Sequence, residues 1–527
     1  MLTYFVIIPI LIAVFLYLFS SAKSGRIIAI AVQLALVCFA YYLFTRARRE
    51  EIITFVGEYD GVLGIILRAD NLSAVFILLT AFIFLIAAIY SFNEANSRMF
   101  WFLLFIWEGA LIALFLTRDF FNVFVAMEVA NVVVTILIMY YRQKRSIYDG
   151  LIYLTTNIIA MQFYLLGIGY VYRITGVLDM EAAAYALVGV DRGQLVLPFA
   201  LIITAVAFKC ALMPLYSWLP KAHGTPGAPA AVSAVLSGLH IKAGLYLFLR
   251  VQDIFPAIST SRFFLIVGII TGIFGVVMAT AQTDIKLILA YSTVAQIGLI
   301  MVGLNISDPY SYTGSLYHII NHALFKSALF LGSGVIMYAY GTRDTTKIRG
   351  VLRRMPIVGF ATILAILGIV GAPFFNGSIS KYFMMANLSW QLNAVMTFIN
   401  LGTIVVFVKY SAILFGKCEN MGDSIKPDKL QLGAIIVLGA TCFAGGVFGP
   451  QLIGYLFGDS VRVDALGYLE KVVIFAVSLA AGYYLIKHYD RFSNTMARLR
   501  VIDLSFRGIC FSIGIFFAVA ILVTGIL

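Results

Sequence analysis

Apolar runs of about 17–25 residues recur along the whole chain, and each is long enough to cross a ~30 Å hydrocarbon layer as a helix. About sixteen of them centre near residues 11, 36, 81, 108, 130, 160, 205, 238, 272, 295, 326, 367, 404, 445, 478 and 517. Stretches such as "LVLPFALIITAVAFKCALM" are continuously apolar and lack the in–out alternation of barrel strands. Backbone groups inside a bilayer must pair within their own segment, so helices are predicted. The pattern implies an all-α polytopic membrane protein with about 14–16 transmembrane helices. The first run starts at residue 2, with no Lys or Arg before it and no small-residue cleavage site after it. It therefore reads as a retained first helix with the amino terminus outside.

Polar residues inside these runs are few and ordered. Glu128 lies in "NVFVAMEVANVVV", Lys209 in "AFKCALMPL", and His240 with Lys242 in "LSGLHIKAGLYLF". His318, His322 and Lys326 follow at four-residue spacing in "YHIINHALFK", then Lys381 in "NGSISKYFMMA". Insertion scales put each charge at about 2.5–3.5 kcal/mol at a helix centre. Eight such groups cannot all face lipid; they must meet one another or water. The spacing of four stacks His318, His322 and Lys326 along one helix face. His titrates near neutrality, so such a face suits proton transfer along a hydrated path.

Each of these residues also has a plainer reading. Glu128 and Lys209 could form a structural ion pair, Lys242 could snorkel, and His240 could hydrogen-bond a neighbouring helix. Lys286, in "DIKLILAYSTVAQIGL", could be an interfacial lysine, and Arg250 reads as a topology anchor at its helix end. The two histidines could bind a metal, but no Glu completes an HExxH and no further ligand clusters nearby.

Two segments look broken. "AVAFKCALMPLYSWLPKAHGTPGAP" sets Pro214 and Pro220 after Lys209, with Lys221 and His223 between the later breaks, and "GIVGAPFFNGSISKYFMMA" sets Pro373 and glycines ahead of Lys381. Interrupted helices in corresponding halves point to inverted repeats with a transport site at mid-membrane depth.

The formal net charge of +12 changes little once its placement is read. Lys23 and Arg26, Arg142 to Arg145, Arg343 to Arg354 and Lys487 to Arg507 collect in loops of one parity, which is the positive-inside bias. The charge reports topology in the cell membrane and needs no nucleic acid. Five scattered cysteines (38, 210, 418, 442, 510) without CxxC give no basis for an iron–sulfur cluster or zinc. No Gly-rich phosphate loop follows a strand, so no nucleotide or flavin cofactor is expected.

The motifs "FNVFVAMEV", "FKCALMPLYSWLPKAHGTPGAPAAVSAVLSGLHIKAGLYL", "QTDIKLILAYSTVAQIGLIMVGL", "HIINHALFKSALFLGSG" and "GAPFFNGSISKYF" together resemble the antiporter-like subunits shared by respiratory complex I, Mrp-type Na+/H+ antiporters and membrane-bound hydrogenases. "FNGSISK" is nearer the Mrp and hydrogenase forms. The resemblance implies two inverted five-helix repeats, each with a broken helix, at 99–250 and 262–416. They would be flanked by N-terminal helices at 1–98 and C-terminal helices at 417–527. It implies that Glu128 and Lys209 match the family's glutamate–lysine pair, and that Lys242 matches its next lysine. His318, His322 and Lys326 match the central relay, and Lys381 the terminal lysine. Lys221 stands where an acid is common, and two further apolar spans after residue 465 exceed the family's core.

The expected function is proton translocation, with or without linked Na+, by a subunit of a multisubunit membrane complex. Its expected partners are neighbouring antiporter-like and small hydrophobic subunits, and lipid. A self-sufficient monovalent cation/proton antiporter and a non-transporting scaffold that docks an enzyme are the alternatives.

Overall fold

The computed structural model describes residues 1–19, 22–58, 64–94, 97–417 and 427–526. Cys418 and the middle of the 416–431 loop lie outside the described residues. The chain opens with α1 (Leu2–Phe19) and α2 (Ala22–Ala47), followed by the antiparallel strands β1 (Ile52–Phe55) and β2 (Ile66–Ala69), with Ile52 opposite Ala69. Then come α3 (Asn71–Tyr90), α4 (Arg98–Leu116), α5 (Phe120–Ile138), α6 (Lys144–Thr175), the short α7 (Met180–Leu187), α8 (Arg192–Lys209) and α9 (Trp218–Gly224). Next are α10 (Ala230–Val235), α11 (Ile241–Ile254), α12 (Ser261–Ala281), α13 (Ile285–Leu304) and α14 (Pro309–Tyr340). The one-turn α15 (Val351–Arg354), α16 (Pro356–Val370), α17 (Asn376–Met384) and α18 (Trp390–Ser411) follow. The chain ends with α19 (Lys429–Val447), α20 (Gly449–Phe457), α21 (Ala465–Lys487), α22 (Ser493–Arg500) and α23 (Phe506–Ile526).

Among the described residues, fifteen helices are long and apolar enough to cross a membrane, with α10 and α11 counted as one span over Ala230–Ile254. The shorter α16 occupies the one remaining predicted position, near residue 367. The protein is an all-α, multi-pass membrane protein.

Aspartates start many of these helices. Asp70, Asp119, Asp179, Asp191, Asp284, Asp308, Asp428 and Asp464 each accept backbone N–H groups at a helix N-terminus. The charge satisfies donors that the first turn cannot pair internally and suits the positive end of the helix dipole.

The chain divides into two compact units. The first comprises Met1–Ala228, Leu239–Thr260 and Leu504–Leu527; the second comprises Pro229–Gly238 and Ser261–Asp503. In the first, α1 packs on α4, α2 on α3, α6 on α8, and the last helix, α23, on α6 and α8. In the second, α12 lies along α13, and α14 is enclosed by α10, α13, α16, α17 and α19, while α21 packs on α18.

Two stretches share an element order. A 19-residue α4 and a 19-residue α5 begin the first, and a 21-residue α12 and a 20-residue α13 begin the second. Each then has a 32-residue helix closed by a left-handed glycine, α6 by Gly176 and α14 by Gly341. Asp119 bridges to Asp179 in one stretch, and Asp284 to Asp344 in the other. Both stretches continue into an interrupted helix.

One end of the first unit is braced by charge. Arg118 and Arg250 both reach Asp70 Oδ2, at 2.8 and 2.7 Å. Both guanidiniums also donate to the Tyr246 hydroxyl, which donates to the Phe115 carbonyl. Arg250, expected as a simple helix-end anchor, is thus a half-buried partner tying α11 to the start of α3. Its sequence neighbours could not show this, because Asp70 lies 180 positions away. Burial works against the Asp70 carboxylate, but Arg250, Arg118 and the Ser73 hydrogen bonds outweigh it and hold its pKa at about 2, below the usual 3.8.

A depressed pKa contributes stability that is present above the unfolded value and lost as pH falls through the folded one. Asp70→Asn should therefore lower the stability of the purified protein by about 2 kcal/mol at neutral pH. In thermal unfolding series, that deficit should shrink as the pH drops from about 4 towards about 2.

Candidate functional site

The two interrupted helices stop in the same way. At the end of α8, Ala211 N–H bonds to Phe208 O and Leu212 N–H to Ala207 O; at the end of α16, Gly371 N–H bonds to Gly368 O and Ala372 N–H to Leu367 O. This paired pattern closes a helix on a left-handed residue, normally glycine. Gly371 (φ 77) fits that rule, whereas Ala211 (φ 52) adopts the conformation with a Cβ attached. Each break leaves carbonyls without helical donors. Trp218 Nε1–H is a further donor to Phe208 O at 2.8 Å, and Lys381 Nζ donates to Ile369 O at 2.7 Å.

In the first unit, Lys209 sits at the last position of α8 and is almost completely buried. Its Nζ donates to Asn131 Oδ1 and Asn157 Oδ1, both at 2.6 Å. Asn131 Nδ2 in turn donates to Glu128 Oε1 at 3.1 Å, one turn back on α5. The expected carboxylate–ammonium contact is thus relayed through an amide, which weakens it from the ~4 kcal/mol of a direct pair about 4 Å apart. Glu128 itself is half-buried.

Gly244 brings α11 against this break: a Cβ there would come within 2.8 Å of the Lys209 carbonyl carbon. A π-helical turn over Leu236–His240 precedes it, a local widening often found at functional positions. Lys242 is fully buried on α11. His240 hydrogen-bonds on both sides, accepting from Trp107 Nε1 at 3.4 Å and meeting the Tyr153 hydroxyl at 3.1 Å.

In the second unit, His318, His322 and Lys326 are fully buried on α14. His318 Nε2 lies 3.0 Å from Gln296 Oε1, and Gln296 Nε2 donates to Thr403 Oγ1. That second bond fixes the amide, so the Gln296 oxygen accepts and His318 Nε2 carries a proton. His318 Nδ1 lies 2.8 Å from Ser380 Oγ, which is also within reach of the Asn376 carbonyl. Ser380 can donate to a neutral ring or accept from a protonated one, so both states of His318 are satisfied.

Lys326 Nζ donates to Leu289 O and Ser292 Oγ on α13, with the Phe407 ring 5.9 Å away. Lys381, next in sequence to Ser380, donates to Asn400 Oδ1 at 2.6 Å as well as to Ile369 O. It borders a cavity of about 50 Å³ that is also lined by Asn400 and by Lys471 of α21. Among the described residues, the hydrogen-bond partners of Lys209, Lys326 and Lys381 are all neutral oxygens.

The remaining expected residues, Lys286, Lys221 and His223, are buried as well. Lys286 lies in the first turn of α13 beside Asp284, whose carboxylate pairs with Arg343. Lys221 and His223 are buried on α9. Sequence reading missed the neutral groups that hold the lysines: Asn131, Asn157, Gln296, Ser292, Ser380 and Asn400. Their only signal is an amide or hydroxyl in mid-span, which membrane helices carry for many reasons. It also passed over Glu108 of α4 and Gln33 of α2, both fully buried and joined by a hydrogen bond.

Residues 117–406 match the family model described as NADH:quinone oxidoreductase/Mrp antiporter, transmembrane. The chain is 28% identical over 490 residues to a Na+/H+ antiporter subunit of Alkalihalophilus pseudofirmus, covering 89% of this chain and 98% of that protein. It is 30% identical over 442 residues to an NADH-quinone oxidoreductase subunit of Desulforudis audaxviator, covering 78% and 87%. Its fold matches a chain of the membrane-bound sulfane sulfur reductase, an archaeal respiratory membrane complex, with a TM-score of 0.81, 22% identity, and coverage of 91% and 99%.

The geometry at the second break makes one prediction. A Cβ on Gly371 would sit 3.2 Å from Lys381 Cδ in a backbone conformation that L side chains rarely adopt. Gly371→Ala should cost about 1–2 kcal/mol in unfolding measurements. Gly371→Asn, which tolerates the left-handed region better, should cost less backbone strain but still displace Lys381.

Proposed function

We propose, for a chain that belongs to the NADH:quinone oxidoreductase/Mrp antiporter family, that it moves protons across the membrane through its buried lysines and histidines. It is an antiporter-like subunit of the kind found in Mrp antiporters, complex I and membrane-bound hydrogenase-type complexes. Relatives named as subunits of a Na+/H+ antiporter and of an NADH-quinone oxidoreductase support a role as one membrane subunit among several. Its partners are then neighbouring antiporter-like and small hydrophobic subunits, with Na+ as a second candidate ion.

The observation that carries this reading is the set of neutral oxygens around Lys209, Lys326 and Lys381. A lysine held by a carboxylate loses an ion pair when it gives up its proton. A lysine held by amide, hydroxyl and carbonyl oxygens does not, and a neutral amine can still donate to them. His318 has partners suited to both protonation states. Moving one charge through 100 mV takes about 2.3 kcal/mol, and shifts in such hydrogen bonds are of that order.

In this mechanism Lys242 takes up protons from the cytoplasmic side, and the His318–His322–Lys326 row passes them laterally. Lys381 releases them, beside its cavity, and Glu128, relayed through Asn131, tunes Lys209 as the gate. His240, Lys221, His223 and Lys286 serve as lesser candidates along uptake routes. The distribution of basic loops supports an amino terminus outside. The shared element order at 99–250 and 262–416 supports inverted repeats between the N-terminal (1–98) and C-terminal (417–527) helices.

In the intact complex, Lys209→Ala and Glu128→Ala should each reduce coupled proton transport more than tenfold, about 1.4 kcal/mol or more on the limiting step, without loss of assembly. Asn131→Leu, which cuts the relay and keeps both charges, should lower transport as well. Undiminished transport in assembled Lys209→Ala would refute the gate. Ion exchange by the purified chain alone in liposomes would favour a self-sufficient antiporter instead.

A further inference from the structure

Glu108 belongs to none of the groups above. It lies in the middle of α4 and is 0% exposed, as is Gln33 in the middle of α2. Gln33 Nε2–H donates to Glu108 Oε2. The other oxygen of each side chain, Glu108 Oε1 and Gln33 Oε1, is buried with no hydrogen-bond partner among the described residues.

An ionised carboxylate with a single amide donor and no cation is a costly thing to enclose. The charged groups on the elements packed around α4 do not supply the missing partner. α1 and α3 contribute only tyrosines, Tyr4, Tyr17 and Tyr90. On α2, Lys23 and Arg26 lie about two turns or more before Gln33, and Arg46 more than three turns after it. Glu128 of α5 bonds to Asn131. On α11, Arg250 is committed to Asp70 and Tyr246, and His240 is held by Trp107 and Tyr153. Lys242 and Asp253 of α11 and Arg68 of β2 complete the set, and among the described residues none of these charged side chains pairs with Glu108. A metal cation would need several oxygen ligands, and this pair has two unsatisfied ones to give. One proton can resolve both orphans in a cyclic acid–amide pair, in which a protonated Glu108 donates from Oε1 and Gln33 Oε1 accepts.

We propose that Glu108 and Gln33 form a proton-binding site in which Glu108 is a neutral acid at neutral pH, paired with the Gln33 amide through two hydrogen bonds. The proton fastens α2 to α4. When it leaves, the freed carboxylate oxygen faces an amide oxygen, and the clasp opens. α2 buries only about a third of its length in the structure, 33% of its most apolar window, so this one polar pairing matters to its seating. The site is independent of the lysine and histidine row, and its test reads no transport.

The test is infrared difference spectroscopy on the full chain in its native membrane complex, comparing the parent with Glu108→Gln and Gln33→Leu at neutral pH, with isotope-labelled glutamate to assign the band. A carboxylic-acid C=O band should be present in the parent, absent in Glu108→Gln, and shifted to higher frequency in Gln33→Leu, where the acid loses its partner. Glu108→Gln should assemble normally, because a second amide reproduces both hydrogen bonds. A labelled signal that is carboxylate only would overturn the proposal. So would an acid band that Gln33→Leu does not move, or a Glu108→Gln chain that fails to assemble.

Discussion

An ammonium group enclosed among membrane helices needs oxygen atoms around it, and the kind of oxygen decides what it can do. Carboxylates would lock Lys209, Lys326 and Lys381 in the charged form as structural cations. Here each finds amide, hydroxyl or main-chain oxygens. Such partners tolerate the charged and the neutral amine alike, so the protein keeps its hydrogen bonds whichever form is present. Charged pairs with carboxylates are used elsewhere, in the Asp70–Arg118–Arg250 brace and the Asp284–Arg343 pair, near helix ends where position matters more than proton exchange.

The broken helices connect this chemistry to the fold. A helix that stops inside the membrane leaves carbonyls that water cannot reach, and something must donate to them. Lys381 fills that need at α16 through Ile369 O, and at α8 Trp218 adds a side-chain donor to Phe208 O. The same device recurs at the end of α12, where Lys409 donates to Thr280 O and Gln282 O and Arg500 donates to Ala281 O. At the first break Gly244 lets α11 press against Lys209, so the lysine's position depends on a residue with no side chain.

The membrane-crossing helices were legible because long apolar runs have few other readings, and the sixteen predicted positions correspond to helices. The breaks were legible from Pro214, Pro220 and Pro373. Their closing residues were less so: Gly371 announces itself, but nothing in "FKCALMP" marks Ala211 as left-handed. The ionisable residues stood out as charges in grease, and all four mid-span lysines are buried. Their partners did not stand out. Asn131, Asn157, Gln296 and Asn400 are neutral, and long-range contacts such as the 78-residue separation of Lys209 from Asn131 leave no local signature. Glu108 was visible as a charge in "FIWEGALI" but lacks a nearby basic residue or spacing motif, and only the approach of α2 gives it meaning.

The most direct measurement is proton transport by the reconstituted complex carrying Lys326→Arg, with assembly checked in the same preparation. Arginine keeps a cation and its donors at that position but does not release its proton. If the buried lysines act by giving and taking protons, the assembled variant will not transport. Transport at the parent rate would mean that Lys326 serves only as a fixed charge, and the account of the neutral oxygens around it would be wrong.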